Sequence, residues 1–475
     1  MTYEEFLKTK ELRAEACGFD IDRDSITPRA FDYQKDIIAW ACKKGKCAIL
    51  TGCGSGKTLM QLEWCRAVAA HEDEATDRHA NAAALARNDK AKVLIIAPLS
   101  VVRQTRQEAA KWGICEVTVC RKQEDVRNGV NITNYEMIEH FDPATFCGVC
   151  LDESSILKSY TGKYQTMLTE MFCKTPYRLL CTATIAPNDY TEIGTSCEFL
   201  GIMSRTEMLA TYFLHDSGDT SKWRLKKAGV NKFWEWFATW AIYFNSPKDL
   251  GYEGEGYDLP ELRIQKLLTE SEPEDGTLFV QLAETLEERR SARKESMEDR
   301  TDQAAALCNG TEESWLVWCD YNDESAVLKK KILGSVEVKG ADEPEFKAEA
   351  SLDFADGKIH ALVSKPSIFG FGSNFQSCHK MIFCGLSDSY ERFYQAVRRC
   401  WRFGQEKPVD VYIILSEKEM NVLDNITRKQ KQMDEMQKQM TALMREVTLS
   451  EIKHTARITT EYKPKKEMKH PAWIA

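Results

Sequence analysis

No stretch of the 475-residue chain is apolar for long enough to cross a bilayer, which takes about 20 consecutive apolar residues. A membrane role is therefore not expected. The acidic opening MTYEEFLKTKELR lacks the pattern of a secretory signal, so the expected compartment is the cytoplasm. Basic charge is scarce as well: 64 Lys and Arg stand against 73 Asp and Glu, a net charge of −9. That balance offers no general attraction to a polyanion. Nucleic acid is not excluded by it, because phosphates respond to the local field of a cleft. Disulfide-framework spacing is missing too. The 17 cysteines are an odd number, and many lie in apolar runs (Cys47, Cys150, Cys181, Cys319, Cys384), which fits reduced, buried thiols. One CxxC, Cys147 to Cys150, has no second pair and sits inside an apolar run, so zinc is not expected. Solenoid repeats and nuclease signatures are also lacking.

What is present is a succession of short apolar runs, each followed by a polar or glycine-containing segment: KCAILTG, KVLIIAPLS, VCLDES, RLLCTAT, then SWLVWCD, HALVSKPS, KMIFCG and VDVYIIL. Runs this short and continuous predict parallel strands buried on both faces. Helical patterns separate them, which gives an α/β architecture of βαβ units. The strands fall into two groups, before about residue 200 and after about residue 310. Ligands of open α/β sheets bind at the carboxyl ends of the strands, and the candidate motifs all fall there.

Between the groups, residues 201–262 are aromatic-rich. Phe233, Trp236, Phe237, Trp240 and Phe244 stand at helical spacing. Core packing of an amphipathic helix is the favoured reading, with stacking against bases as the alternative. Residues 270–313 are highly charged and predict a solvated helix. His71–Lys90 is a polar, alanine-rich insertion expected as a surface loop. From Glu417 the chain predicts a helix with Ile426, Met433, Met440 and Val447 every seven residues, and Met436 and Leu443 between them. Such a seam suits a short coiled coil or a helper protein's helix, though docking back on the second strand group is the simpler expectation. The closing EYKPKKEMKHPAWIA is expected as a solvated tail.

Three motifs carry chemistry. The first is TGCGSGKT, Thr51 to Thr58, between a strand and a helix. Gly52, Gly54 and Gly56 let the backbone turn its N–H groups, including that of Ser55, toward phosphate oxygens. Lys57 would reach the β- and γ-phosphates of ATP, and Thr58 would ligate Mg²⁺. The second is LDES, Leu151 to Ser154. Adjacent carboxylates ending an apolar run are costly without a task; Asp152 would hold Mg²⁺ and Glu153 would orient and deprotonate a water. The third is QAVRRCWRFGQ, Gln395 to Gln405. Arg399 and Arg402 would share a face if the segment is helical, and would meet charge developing on the γ-phosphoryl group as arginine fingers.

Taken in order, these motifs resemble a superfamily-2 helicase or translocase, in particular the Swi/Snf-type ATPases and their phage-encoded relatives. The resemblance spans roughly residues 30–416. It implies two tandem RecA-like lobes (31–200, and 314–416) after an N-terminal extension (1–30). A helical connecting region (201–313) would join them, with a C-terminal helix and tail (417–475) behind. It also implies that Gln34 in FDYQ bonds the adenine edge beside a stacking aromatic. Ala97–Ser100 and Thr133–Tyr135 resemble motifs that touch a nucleic-acid backbone. Ser100, Thr133, Asn134, Ser367 and Gly372 are the implied contacts. Thr182 to Thr184 and Gln395 would couple hydrolysis to movement. The chain departs from the family at DESS, where Ser155 holds the fourth position, at Ile185, where proline is common, and at Arg398, where a small residue is usual. The implied activity is ATP-dependent movement on DNA by a monomer, in the host cytoplasm for a phage-encoded chain. An RNA helicase and a non-catalytic clamp are the alternatives.

Overall fold

The computed structural model describes residues 13–52, 54–79, 90–158, 162–186, 189–215, 223–254, 257–270, 282–283, 285–369 and 373–453. The apolar runs form two parallel sheets. In the first lobe, β1 (Lys46–Thr51), β2 (Lys92–Ala97), β3 (Val117–Val119), β4 (Gly129–Asn134), β5 (Gly148–Asp152) and β6 (Tyr177–Thr182) are joined by a later strand, β9 (Ala241–Phe244). The order is β3-β4-β2-β5-β6-β1-β9, with every pairing parallel. Helices α1 (Asp32–Lys44), α2 (Lys57–His79) and α3 (Leu99–Trp112) bury one face, and α4 (Lys163–Met171), α5 (Ile193–Leu200), α6 (Arg205–Tyr212) and α7 (Val230–Ala238) follow β5 and β6.

The second lobe is a six-stranded parallel sheet. Its strands are β10 (Leu262–Thr269), β11 (Trp315–Cys319), β12 (Ser335–Val338), β13 (Ala361–Ser364), β14 (Lys380–Cys384) and β15 (Val409–Ser416), in the order β10-β15-β14-β11-β13-β12. Its helices are α8 (Leu286–Glu295), α9 (Met297–Asn309), α10 (Asn322–Lys331), α11 (Pro344–Ala355), α12 (Pro366–Phe369) and α13 (Tyr390–Val397). No described helix is long and apolar enough to cross a membrane.

Four expectations change. Residues 201–313 are not wholly helical. A small antiparallel hairpin, β7 (Phe213–His215) with β8 (Trp223–Leu225), precedes α7. Strand β9 then pairs with β1, and β10 pairs with β15 from Leu262↔Val409 to Thr269↔Ser416. Helix α7 stops at Ala238, so Phe244 leaves the helical stripe and is buried in β9. The packing reading holds for the others, since Phe233, Trp236, Phe237 and Trp240 are all buried. The charged stretch is two helices, α8 and α9, and not fully solvated: Arg293 and Arg300 are buried. The insertion after α2 continues as helix to His79; residues 80–89 lie outside the described residues.

The fourth change concerns the C-terminal helix α14 (Met420–Lys453), 34 residues long, about 50 Å at 1.5 Å per residue. It leaves the second lobe, where Lys429 Nζ donates to the Asp388 carbonyl at 2.9 Å, and crosses to the first. There Tyr190 Oη donates to Gln439 Oε1 at 3.0 Å, Lys44 pairs with Glu451 at 2.9 Å, and Ile452 joins the core around α1. Ile426, Met433, Met436, Met440 and Val447 are buried, in an apolar cluster that also holds Trp234 and Phe237 of α7 and Tyr390 and Phe393 of α13. The heptad seam is therefore occupied within the chain, by both lobes, where a helper helix had been the alternative.

Candidate active site

The phosphate-type loop leaves β1, whose residues from Cys47 to Thr51 are buried, and enters α2. Gly54 and Gly56 have φ of +90° and +81°, a conformation closed to most side chains. A Cβ on Gly56 would lie 2.1 Å from Gln34 Nε2, and one on Gly54 would lie 3.0 Å from Phe403 Cβ of the second lobe. Lys57 folds back over the loop, its Nζ donating to the carbonyls of Thr51 at 2.8 Å and Gly52 at 3.3 Å. Ser55 Oγ closes the turn onto the Gly52 carbonyl at 2.9 Å.

Gln34 is tied to this loop. Its Nε2 donates to the Ser55 carbonyl at 3.0 Å, and its Oε1 accepts from the Phe31 N–H at 2.9 Å, capping α1. Both ends of the amide are thus engaged with backbone, where the family resemblance had implied an adenine contact. Tyr33 Oη donates to the same Ser55 carbonyl at 2.7 Å and lies 2.6 Å from Tyr257 Oη, whose ring is 4.6 Å from Phe403. Phe31 is the exposed ring beside them.

Beside the loop, β5 ends in Asp152. Gln61, four residues after Lys57 on α2, donates to Asp152 Oδ1 at 2.7 Å, and Tyr135 Oη donates to the Asp152 carbonyl at 2.7 Å. Glu153 then turns sharply, with φ of +53°, the one non-glycine residue of the described set in left-handed conformation. Such a position costs about 1–3 kcal/mol and persists where the surroundings over-determine it. Thr182 Oγ1 donates to Glu153 Oε2 at 3.5 Å and accepts from the Thr184 N–H at 3.1 Å, which places the TAT segment against this carboxylate. Burial pushes the Asp152 carboxyl up, opposed by the Gln61 bond and the charge of Lys57. Burial also pushes Glu153 up, to about 7; Lys57 and Arg399 oppose the shift, while Asp152 and Glu391 add to it.

The second lobe contributes the turn after α13. That helix ends at Val397, so Arg399 and Arg402 stand in the following turn and not on a shared helix face. Both are held over the Ser373 carbonyl, at 3.1 Å for Arg399 Nη1 and 3.3 Å for Arg402 Nη1. Their fields still cross the cleft, since Arg399 acts on Glu153 and Arg402 on Glu108 of α3. Gln395 is buried beneath them.

Three residues here were given no role by the sequence reading. Arg398 stands beside the phosphate-type loop: a Cβ on Gly52 would lie 3.1 Å from its Nη2. Its guanidinium stands 5.8 Å from the Tyr394 ring and 5.0 Å from the Trp401 ring, and Trp401 Nε1 is anchored on the Pro260 carbonyl at 2.7 Å. Glu108 accepts from Gln104 Nε2 at 2.8 Å and interacts with Thr58 and Arg402. Gln61 could have been found from its i,i+4 spacing to Lys57. Arg398 and Glu108 meet the site only through the fold.

The implied nucleic-acid contacts divide. Ser100, at the start of α3, and Ser367, on α12, are exposed. Thr133 is fully buried, at 0% exposure, and Asn134 is buried with its amide donating to Glu136; neither can touch a backbone as placed. Gly372 lies outside the described residues.

The site fits a triphosphate and a hard cation. Thr51 Oγ1, Gln61 Oε1, Ser154 Oγ, Thr184 Oγ1 and both amide atoms of Gln395 are buried without a hydrogen-bond partner among the described residues. Buried polar atoms are usually satisfied, so those next to the loop and the carboxylates can receive a polar guest, although unpartnered atoms such as Trp40 Nε1 and Thr448 Oγ1 also occur elsewhere in the fold. The Thr58 hydroxyl and Asp152 carboxylate are oxygen donors of the kind Mg²⁺ takes. Among the described residues no cluster of three His, Cys, Asp or Glu could hold a metal ion.

Comparison with known proteins adds a family model. Residues 33–215, from the first turn of α1 through the loop at Lys57, Asp152–Glu153 and Thr182–Thr184, match the model of the SNF2-related domain. No curated protein matches the chain. Among solved structures, S. cerevisiae Dbp5 bound to RNA and ADP BeF3 aligns at 12% identity over 84% of this chain and 89% of that one, with a TM-score of 0.49. The SNF2-related segment ends at His215, before β9 and the whole second lobe. The arginine turn thus lies outside the matched segment and rests on its own geometry.

Proposed function

We propose that the chain is a nucleic-acid-dependent ATPase that moves along DNA, hydrolysing ATP between its two lobes. One observation carries this reading: the loop and carboxylates of the first lobe face a turn of the second lobe with three arginines, one of them beside Gly52.

Each residue then has a task. Lys57 exchanges the Thr51 and Gly52 carbonyls for phosphate oxygens, and the glycine backbone directs its N–H groups at the same oxygens. Thr58 and Asp152 would hold Mg²⁺, which neutralises phosphate charge when bound. Glu153 takes the proton of the attacking water. Arg399 and Arg402 release the Ser373 carbonyl and meet the charge that spreads on the γ-phosphoryl oxygens. Because these groups sit on different lobes, hydrolysis removes the bridge between them and the lobes part. Nucleic acid lying across both would be gripped alternately and shifted.

The test is ATP hydrolysis by the full chain with no polymer, single-stranded DNA, double-stranded DNA and RNA, beside Lys57→Ala. Stimulation by DNA and loss in the variant are expected. Stimulation by RNA alone would turn the reading to an RNA helicase; stimulation by no polymer would leave the clamp. Arg402→Ala should hold ATP within about threefold of the parent Kd while hydrolysis drops by ~10³–10⁵, the range measured for arginine fingers. Equal losses in binding and turnover would remove Arg402 from that role.

A further inference from the structure

The fourth position of DESS, Ser155, is not idle. Its hydroxyl reaches out of its own lobe and donates to Glu391 Oε1 at 2.8 Å. Lys158, one turn further, pairs with the other oxygen of the same carboxylate. Glu391 stands in the first turn of α13, four residues before Gln395, on the helix that runs out into Arg398 and Arg399. One carboxylate of the second lobe therefore clamps the single 3-10 turn, Ser154–Lys158, that follows Asp152 and Glu153.

This contact is sheltered. The side chain of Glu391 is 14% exposed and that of Lys158 36%, so water and salt screen the pair less than a surface pair. Another ion pair across the cleft, Arg103 with Glu345 at 3.5 Å, has both side chains mostly in solvent and contributes little. The turn also needs holding. Glu153 is in left-handed backbone, its contact with Thr182 is long at 3.5 Å, and the turn behind it is closed by Ile156 N–H on the Glu153 carbonyl at 3.3 Å. A clamp at Ser155 and Lys158 fixes the backbone just after the base.

The serine at the fourth position of DESS now has a chemical sense. A hydroxyl can donate to Glu391, whereas a carboxylate at position 155 would face a like charge at hydrogen-bond distance.

We propose that Glu391 is a positioning residue: by holding Ser155 and Lys158 it sets the Asp152–Glu153 turn in hydrolytic geometry only while the lobes are together. This rests on the ATPase reading above. The experiment uses the full chain with Glu391→Ala, Glu391→Gln, Ser155→Ala, the double variant Ser155→Ala/Glu391→Ala and the exchanged pair Lys158→Glu/Glu391→Lys. It measures kcat and KM for ATP at saturating polymer, and the distance between the lobes by fluorescence energy transfer between one dye on each.

Glu391→Ala is expected to lower kcat by about ten- to a hundredfold, the size of effect that small misplacements of reacting groups produce, with KM changing less than about threefold. Glu391→Gln, which keeps an acceptor for Ser155, should regain part of kcat. The double variant should be no slower than Glu391→Ala alone, because both remove one contact. The exchanged pair should also recover part of the rate. The proposal is overturned if Glu391→Ala keeps the parent kcat, if its loss appears in KM, or if the double variant is additive. The two readings fail separately. A parent chain that hydrolyses ATP beside an unaffected Glu391→Ala sinks the clamp alone. A parent chain without ATPase activity sinks the functional reading, and the clamp then stands or falls on whether Glu391→Ala lengthens the distance between the lobes.

Discussion

Glu153→Gln is expected to lower kcat for ATP hydrolysis by ~10²–10⁴, the usual contribution of a general base, and at the same time to raise the melting temperature at pH 8. Both effects come from one placement. The carboxylate is held at φ +53° beside Asp152, and burial raises it to about 7. A carboxyl whose folded-state pKa lies above its unfolded value binds its proton more tightly when folded. The stability it contributes is present at low pH and is lost as pH rises from the unfolded value through about 7. Glutamine removes the buried charge and keeps the shape. At pH 8 it should gain ~2–4 °C for about 1 kcal/mol in a domain of this size. Near pH 5 the gain should shrink toward zero. The same titration appears in the rate. kcat/KM reports groups of the free enzyme, so for the parent it should climb with pH and level off above about 7, while the residual rate of the variant stays flat through that window. A Glu153→Gln protein that turns over ATP at the parent rate would remove Glu153 as the base. One that melts lower at pH 8 than at pH 5, relative to the parent, would mean the carboxylate is stabilised in the fold.

Such a trade of stability for reactivity is expected where local rules are broken, and it marks how far the sequence could be read. Eight strands of the two sheets were legible because each is a continuous apolar run bounded by polar or glycine residues; β3 (VTV), β4 (GVNITN) and β12 (SVEV) are too short or too polar to stand out that way. The four-residue β9, AIYF, was not: it follows the Phe233–Trp240 stripe without a break, and its aromatics extend the helical period by chance of spacing. Strand β10 alternates weakly because it is an edge strand, paired only with β15. In the site, the loop at Lys57 and the Asp152–Glu153 pair were legible because each is local. What the second lobe adds was legible only in part. Nothing around Glu391 distinguishes it from any surface glutamate, and its partners lie 236 and 233 residues away. The seam of α14 was visible as a seven-residue repeat. An apolar stripe does not say what covers it, and a second chain's helix satisfies it as well as α7 does.

The charged segment LEERRSARKESMEDR holds the other large expected effect. Its pattern resembles a solvated helix, yet Arg300 is completely buried and pairs with Glu324 of α10 at 2.6 Å. Arg300 also donates to the Ser296 hydroxyl at 3.0 Å and the Arg293 carbonyl at 2.8 Å. Arg293 bridges Glu419 at 2.6 Å and Asp320 at 2.8 Å. Removing one partner of a buried pair strands the other charge away from water, at a cost of about 3–5 kcal/mol. Arg300→Ala should therefore lower the unfolding free energy by that amount. Urea titration, followed by the fluorescence of the buried Trp315 and Trp318 of β11, is the measurement. Arg300→Met with Glu324→Leu removes both charges and should cost distinctly less than Arg300→Ala alone, since replacing a buried pair by apolar groups is often near neutral. Equal costs would mean that packing, and not charge, holds the network. The network lies beneath the segment that presents the arginine turn. Gly385, just after β14 with φ +91°, would strain any side chain, and a Cβ there would press on Arg300 Nη1 at 3.2 Å. Three residues on, Asp388 pairs with Arg289 at 2.5 Å just before α13 begins. A second lobe loosened at Arg300 should thus lose the alignment of Glu391 and Arg399 before it unfolds. In moderate urea, Arg300→Ala should lose ATPase activity ahead of the fluorescence change, while the parent loses both together.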